Sequence, residues 1–117
     1  GHGLPIALGM ALADRSKDVY CLISDGECSE GSIWEALRIR REQNLTNLKI
    51  YLNYNGWAAY KNTDKDNLAF LMSYYGEMGG ITVVETDVEQ FPFLKGQSAH
   101  YHTMSEKDYL EAMELLK

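Results

Sequence analysis

Apolar and polar residues alternate along the chain in blocks whose lengths and spacings predict four helices and three strands. The predicted helices cover residues 4–13, 32–43, 66–75 and 105–116, and the predicted strands cover residues 19–23, 48–52 and 81–85. Because strands and helices alternate, we expect crossover connections and a mainly parallel sheet. The pattern therefore predicts an α/β fold, in which ligands bind beyond the carboxyl ends of the strands.

Local signals set the boundaries and the burial of these elements. Ser32 and Glu35 have the spacing of a capping box, which predicts that the second helix begins there. The run from Ser105 to Asp108 opens the last helix. The first helix and the first strand are almost entirely apolar, so we expect both to be buried, the strand on both of its faces. Three glycines follow the third helix and are expected to end it: Gly76, Gly79 and Gly80.

Length and charge narrow the possible classes of protein. The chain has 117 residues, which predicts one domain, and its 17 acidic and 11 basic side chains give a formal net charge of −6. This balance argues against nucleic-acid binding, which relies on clustered Lys and Arg. The basic cluster of Arg38, Arg40 and Arg41 is expected on a solvated helix face. No apolar run is long enough to cross a bilayer, so we expect no membrane association.

Cysteine usage indicates the compartment. Cys21 and Cys28 do not have the spacing of zinc ligands, and two cysteines are too few for a disulfide framework. We therefore expect free thiols in a reducing environment. The chain starts without a basic region followed by an apolar segment, so no secretory signal is visible. These features together predict a cytoplasmic protein.

Polar residues follow the first two predicted strands at the point where each strand ends. Asp25 and Gly26 come directly after the first strand, and Asn55 follows the second. If these strands are neighbours, a carboxylate and an amide oxygen face one crevice, and such oxygen ligands suit Mg²⁺ shared with a phosphate. Gly26 would let the main chain approach that phosphate closely. The alternative is that both segments are ordinary turns, since Asp, Asn and Gly dominate turns.

These strand ends also carry a family resemblance. The stretch CLISDGECSEGSIWEA at 21–36, followed by LKIYLNYNG at 48–56, resembles the thiamine-diphosphate motif of transketolases. In that motif an acidic GDG-type turn is followed about thirty residues later by an asparagine in a DNN-like element, and here Asn55 lies thirty positions after Asp25. The segments at 1–13 and 98–109 resemble the corresponding flanking regions of the family. Ser24 replaces the first glycine of the usual turn.

The resemblance implies thiamine diphosphate and Mg²⁺ as cofactors and assigns residues to them. Asp25 and Asn55 would be side-chain ligands of Mg²⁺, and the main-chain carbonyl of Trp57 would be a third ligand. Gly26 would contact the diphosphate. His100 would match a histidine near the diphosphate and the substrate, with a cofactor-binding and catalytic role. The alternative for His100 is an ordinary histidine in a surface loop.

Two acidic residues in the same stretch match positions at the dimer interface of the family. Glu30 and Glu35 would take part in a proton network between active sites, and Glu30 is the candidate for a catalytic role. The alternative is that these side chains only complement the dipole at the start of a helix.

The implied fold is a three-layer sandwich with a mainly parallel sheet, the thiamine-diphosphate-binding fold in shortened form. It would be a single domain over residues 1–117, incomplete at its N-terminus because the glycine-rich loop expected before Gly1 is absent. Between Gly80 and His100 the chain is shorter than the family pattern.

The implied function is that of a transketolase-like transferase, which moves a two-carbon ketol unit from a ketose to an aldose, with sugar phosphates as substrates. The glutamate that activates the cofactor belongs to a pyrimidine-binding domain, and this chain has no counterpart. We therefore expect a partner domain or subunit that binds the pyrimidine, assembly into a homo- or hetero-oligomer, and no activity of this chain alone. The alternatives are a 2-oxo acid decarboxylase or dehydrogenase component, and a non-catalytic association module of the same fold.

Overall fold

The computed structural model describes residues 1–76, 80–87 and 90–117. Within these residues the main elements are α1 (Gly3–Ala13), β1 (Val19–Ser24), α2 (Gly31–Glu42), β2 (Leu48–Tyr54), α3 (Lys65–Gly76), β3 (Ile81–Glu85) and α4 (Glu106–Leu115). Two short 3₁₀ helices, Glu27–Ser29 and Gly96–Tyr101, lie between them. No helix in the described ranges is long and apolar enough to span a membrane.

The three strands form one parallel sheet in the order β1-β2-β3. The register pairs Val19 with Leu48 and continues to Ser24 opposite Asn53, so that β1 and its neighbour reach the same edge of the sheet. The predicted α/β class with a parallel sheet is confirmed. Among the described residues, α1, α2 and α3 form one helical layer on the sheet, where a three-layer sandwich has two.

The core lies between this helical layer and one face of the sheet. Burial of each large aliphatic side chain contributes about 1.5–3 kcal/mol. The buried core side chains include Leu4 and Leu8 of α1, Ile23 of β1, Ile33 and Leu37 of α2, Ile50 and Leu52 of β2, and Met72 of α3. Ile50 and Leu52 are two positions apart and Ile23 is the register partner of Leu52, so the three side chains point to the same face.

The other face of the sheet is open in the described residues. Tyr20 and Leu22 of β1 are 65% and 71% exposed, and Tyr20 stacks on Tyr51 of β2 with ring centroids 6.5 Å apart. The prediction that β1 is covered on both faces is therefore wrong, because α1, α2 and α3 all pack on the opposite face. Ile6 and Met10 are exposed as well, so only one side of α1 is buried and not the whole helix.

The start of α2 differs from the capping-box prediction. The N-cap is Glu30, not Ser32, and it makes no side-chain cap hydrogen bond. Because α2 already begins at Gly31, Ser32 lies inside its first turn and instead donates its hydroxyl to the main-chain oxygen of Gly1 at 2.9 Å. A capping box does exist at α4, where the Ser105 and Asp108 side chains each accept from the other's main-chain N–H.

The glycines after α3 were predicted to end that helix. The helix ends at Gly76, and Gly80 has a positive φ of 82° that favours glycine. Gly79 lies outside the described residues.

The basic cluster on α2 is divided between surface and interior. Arg38 is exposed and pairs with Glu42, with 2.6 Å between Nη1 and Oε1. Arg40 is buried, and its Nε donates to the main-chain oxygen of Leu48 at 3.2 Å. The prediction of a fully solvated basic face is wrong for Arg40, because α2 turns this side chain toward the start of β2.

One buried amide side chain joins α1 to the sheet. The Nδ2 atom of Asn47 lies 3.1 Å from the main-chain oxygen of Ala11, 3.2 Å from that of Asp14 and 3.0 Å from that of Lys17. Carbonyls at the end of a helix have no partner within the helix and need a donor from elsewhere. Asn47 supplies that donor immediately before β2 begins.

We expect Asn47→Asp to lower the free energy of unfolding by about 3 kcal/mol, because a buried carboxylate cannot donate to three carbonyl oxygens and is repelled by them. Urea unfolding followed by circular dichroism measures the change. Asn67→Asp is the matched control: Asn67 is exposed in the first turn of α3, and its substitution should cost no more than about 0.5 kcal/mol. Equal stabilities of the two variants would contradict the structural role of Asn47.

Candidate functional site

Asp25 occupies the carboxyl end of β1 and is almost fully buried, with 2% of its surface exposed. Its main-chain N–H donates to the oxygen of Asn53 at 3.0 Å, which continues the pairing of β1 with β2 by one residue. Its carboxylate accepts from the N–H of Gly26 at 2.9 Å, from the N–H of Gly56 at 2.7 Å and from the hydroxyl of Thr63 at 2.8 Å. This one carboxylate therefore joins the turn after β1 to the loop after β2.

The loop after β2 carries the other two predicted Mg²⁺ ligands. Asn55 Oδ1 accepts from the N–H of Trp57 at 2.8 Å, which forms an Asx turn around Gly56. Gly56 has a φ of 82°, where glycine is favoured, and its N–H is the one bound to Asp25. Asn55 and Trp57 thus flank the residue that contacts the Asp25 carboxylate.

Gly26 permits a close approach of this loop to the turn after β1. Its φ is −61°, which any residue can adopt, so the need for glycine is steric. A Cβ atom at Gly26 would lie 3.1 Å from the Cβ of Ala58, 3.2 Å from its Cα and 3.6 Å from the carbonyl oxygen of Trp57. The absence of a side chain at Gly26 therefore lets the Trp57 carbonyl lie next to the turn that holds Asp25.

The structure brings together four of the predicted site residues: Asp25, Gly26, Asn55 and Trp57. Thr63, which donates to the Asp25 carboxylate, was missed by the sequence reasoning. Thr63 lies in a loop 38 positions after Asp25, and it belongs to no periodic pattern or motif that could have identified it. A cleft of about 250 Å³ borders this cluster, and its lining includes Ser29, Trp34 and Lys61.

The side-chain oxygens of Asp25 and Asn55 have lone pairs that no protein hydrogen bond uses and that could bind a cation. A carboxylate has about four acceptor positions and an amide oxygen has two. Three positions of Asp25 and one of Asn55 are used by protein donors. In the described part of the chain Asp25 forms no salt bridge, so its buried charge has no cationic partner there.

The donor set fits Mg²⁺ better than a transition metal. No group of three His, Cys, Asp or Glu side chains is close enough to hold a metal in residues 1–76, 80–87 and 90–117. A site here would offer one carboxylate, one amide oxygen and one carbonyl, which are hard ligands, and would need phosphate oxygens or water to complete the shell. The interpretation of both strand ends as turns also agrees with the geometry, and the free acceptor positions make the two interpretations compatible.

Glu30 and His100 lie outside this network of contacts. Glu30 is exposed as the N-cap of α2. His100 is exposed in the 3₁₀ helix Gly96–Tyr101, and its ring meets that of Tyr101 edge to face at 5.3 Å. Neither side chain makes a hydrogen bond within the described residues to the cluster around Asp25.

Both cysteines are free thiols, as the sequence predicts, and both are buried. Cys28 follows the turn at Asp25, and its Sγ lies 3.4 Å from the main-chain oxygen of Ser24. Burial raises the pKa of the Cys28 thiol to about 12, and the negative charges of Asp25 and Glu27 add to that effect. Burial also raises the pKa of Cys21. Neither thiol is therefore suited to act as a nucleophile at neutral pH.

Comparisons with known proteins find transketolases as relatives over part of the chain. Transketolase from Pongo abelii is 45% identical over 60 aligned positions, which cover 47% of this chain and 10% of the relative. Transketolase-like protein 2 from Mus musculus gives the same identity and coverage. An apulose-4-phosphate transketolase subunit from Actinobacillus succinogenes is 42% identical over 59 positions, with 47% of this chain and 21% of the relative covered.

The resemblance to transketolases is thus confirmed over about half of the chain. The matched stretch spans between a tenth and about a fifth of the length of these relatives. No protein-family model matches the chain, and no solved structure gives a significant match.

Gly26→Ala tests the close approach of the two loops. We expect it to lower the free energy of unfolding by about 1–2 kcal/mol, because the new methyl group would displace Ala58. Gly9→Ala in α1 is the matched control, since a Cβ there meets nothing within 4 Å and should stabilise the helix by up to about 1 kcal/mol. Because both changes restrict the unfolded chain equally, the difference in urea unfolding reports the contact itself. A Gly26→Ala variant as stable as Gly9→Ala would contradict it.

The thiol of Cys28 should make stability depend on alkaline pH. Its pKa rises from an ordinary value of 9.0 to about 12 in the folded state, so above pH 9 the unfolded chain loses the proton first and stability falls. We expect the stability of the wild type relative to Cys28→Ala to decrease by about 1.4 kcal/mol between pH 8 and pH 10. Urea unfolding at the two pH values measures this. An unchanged difference would show that the thiol is not held protonated by burial.

Proposed function

We propose that this chain is the thiamine-diphosphate- and Mg²⁺-binding part of a transketolase-like enzyme, which transfers a two-carbon ketol unit from a ketose phosphate to an aldose. The observation that carries the proposal is the contact of the buried Asp25 carboxylate with the loop of Asn55 and Trp57. It gathers hard oxygen donors at the carboxyl ends of neighbouring parallel strands, where such sheets bind ligands. The relatives named transketolase give independent support.

In this proposal each residue of the cluster has a separate task. Asp25, Asn55 and the carbonyl of Trp57 hold Mg²⁺, and the single carboxylate leaves the metal enough positive charge to bind a diphosphate. The main chain at Gly26 lies against the diphosphate, where its lack of a side chain leaves room. When bound, thiamine diphosphate supplies the nucleophilic carbon that accepts the two-carbon unit. Since the chain has a net charge of −6, the metal and main-chain amides hold the anionic cofactor without a basic surface.

Two exposed residues have the tasks that the family resemblance implies. His100 lies near the substrate and the diphosphate, where an imidazole can orient hydroxyl groups or move a proton. Glu30 belongs to the interface with a partner and shares protons across it. The exposure of both side chains is compatible with these tasks.

The partner is a pyrimidine-binding transketolase domain or subunit, so that the active form is a homo- or hetero-oligomer. The relative from Actinobacillus succinogenes is named as one subunit of a transketolase, which supports a division of such enzymes between chains. The two free thiols favour a reducing compartment such as the cytoplasm.

Calorimetric titration with thiamine diphosphate tests the site. We expect binding only when Mg²⁺ is present, and Asn55→Ala should weaken it by at least about tenfold because a metal ligand is lost. Asn53→Ala is the matched control: Asn53 is in the same segment, but its Oδ1 accepts from Thr86 at 2.6 Å and is not a proposed ligand. Asp25→Asn removes the only charged ligand and should abolish binding, with circular dichroism to check that it folds.

The titration is repeated with a pyrimidine-binding transketolase domain added. No binding in either arrangement would overturn the proposal and favour a non-catalytic association module. Where binding occurs, incubation with a ketose phosphate and an aldose should give transferred product. Turnover of a 2-oxo acid in its place would assign the chain to a decarboxylase or dehydrogenase component.

A further inference from the structure

We propose that Gln97 is a positioning residue of the candidate site, which fixes the loop that carries the Trp57 carbonyl through two hydrogen bonds to that loop. This inference rests on the proposed function, because it concerns how the Mg²⁺ ligands are held. Nothing in the resemblance or in the comparisons assigns a role to Gln97.

The side-chain amide of Gln97 contacts two consecutive carbonyls of the loop. Its Nε2 donates to the main-chain oxygen of Ala58 at 2.7 Å and to that of Ala59 at 2.8 Å. Gln97 is partly buried and lies 39 and 38 positions away from these acceptors. Both N–H bonds of one amide are thus used to fix one short stretch of main chain, so the stretch cannot rotate without losing two bonds.

Ala58 is the residue at which the loop contacts both the turn after β1 and the 3₁₀ helix Gly96–Tyr101. On one side, the Cα and Cβ of Ala58 pack against the open position at Gly26, next to Asp25. On the other side, the oxygen of Ala58 accepts from Gln97. The Trp57 carbonyl belongs to the peptide that links Trp57 to Ala58, so the bond from Gln97 acts one peptide away from the proposed ligand.

The same 3₁₀ helix contributes further contacts to this loop. The hydroxyl of Tyr101 donates to the oxygen of Ala59 at 3.2 Å. Gly96 lies against the indole of Trp57, where a Cβ would be 3.6 Å from a ring carbon, and its φ is 54°. The helix Gly96–Tyr101 therefore packs on the loop through Gly96, Gln97 and Tyr101. His100 belongs to the same helix.

A primary amide is chemically suited to this place. Two neighbouring carbonyl oxygens require two donors in a fixed geometry, and the glutamine amide provides them without a charge. A glutamate would present acceptors to acceptors, and a lysine would place a second cation near the proposed metal. The requirement therefore selects for glutamine and not simply for a polar side chain.

Gln97→Leu and Gln97→Glu test the inference, with Gln43→Leu at the end of α2 as the matched control. Hydrogen exchange measures the amides of Gly56, Trp57 and Ala58, which report opening of the loop without any ligand. We expect exchange at least about tenfold faster in both Gln97 variants, because two hydrogen bonds are lost. The same variants should bind thiamine diphosphate with Mg²⁺ about tenfold more weakly, while their circular dichroism spectra show that the fold is retained.

Each outcome decides between the two proposals. If the wild type binds and the Gln97 variants bind equally well, or if exchange is unchanged, the positioning role is overturned and the proposed function stands. If the wild type shows no binding with or without the partner domain, the proposed function fails and the positioning role fails with it. Faster exchange with weaker binding, and no effect of Gln43→Leu, would support the inference.

Discussion

The buried carboxylate of Asp25 is the interaction on which the rest of the candidate site depends. It accepts from the main chain of both strand-end segments and from Thr63. A buried charge is costly unless such donors surround it, so the two loops and the carboxylate must be ordered together. The glycines at 26 and 56 follow from the same constraint, because one permits the approach of the loop and the other permits its backbone angle.

The register of the parallel sheet makes this contact possible. Ser24 lies opposite Asn53, so the chain leaves β1 and β2 at the same level. Asp25 extends the pairing by one bond and then turns, and the Asn55 segment turns beside it. The position of the site is thus a consequence of strand pairing, and its chemistry is a consequence of the few polar residues that follow the strands.

Periodicity and turn chemistry were sufficient to predict the strands and helices to within one or two residues, and to predict the meeting of Asp25 with the Asn55 segment. Contacts of individual side chains with residues far along the chain, other than this meeting of strand ends, were not predictable. The burial of Arg40 follows from its carbonyl partner at Leu48, and Thr63 reaches Asp25 from another loop. No local pattern of residues encodes such partners, because each is determined only when the sheet and helices have packed.

The open face of the sheet and the candidate site are structurally independent of each other. Parallel sheets are usually covered on both faces, yet Tyr20 and Leu22 are exposed here. The side-chain contacts of Asp25 and Gln97 and the approach of Ala58 to Gly26 lie beyond the strand ends, and they use no side chain of that exposed face. The geometry of the proposed metal ligands therefore does not require the open face to be covered. The arrangement of the proposed ligands and the coverage of the sheet are therefore separate properties of the structure.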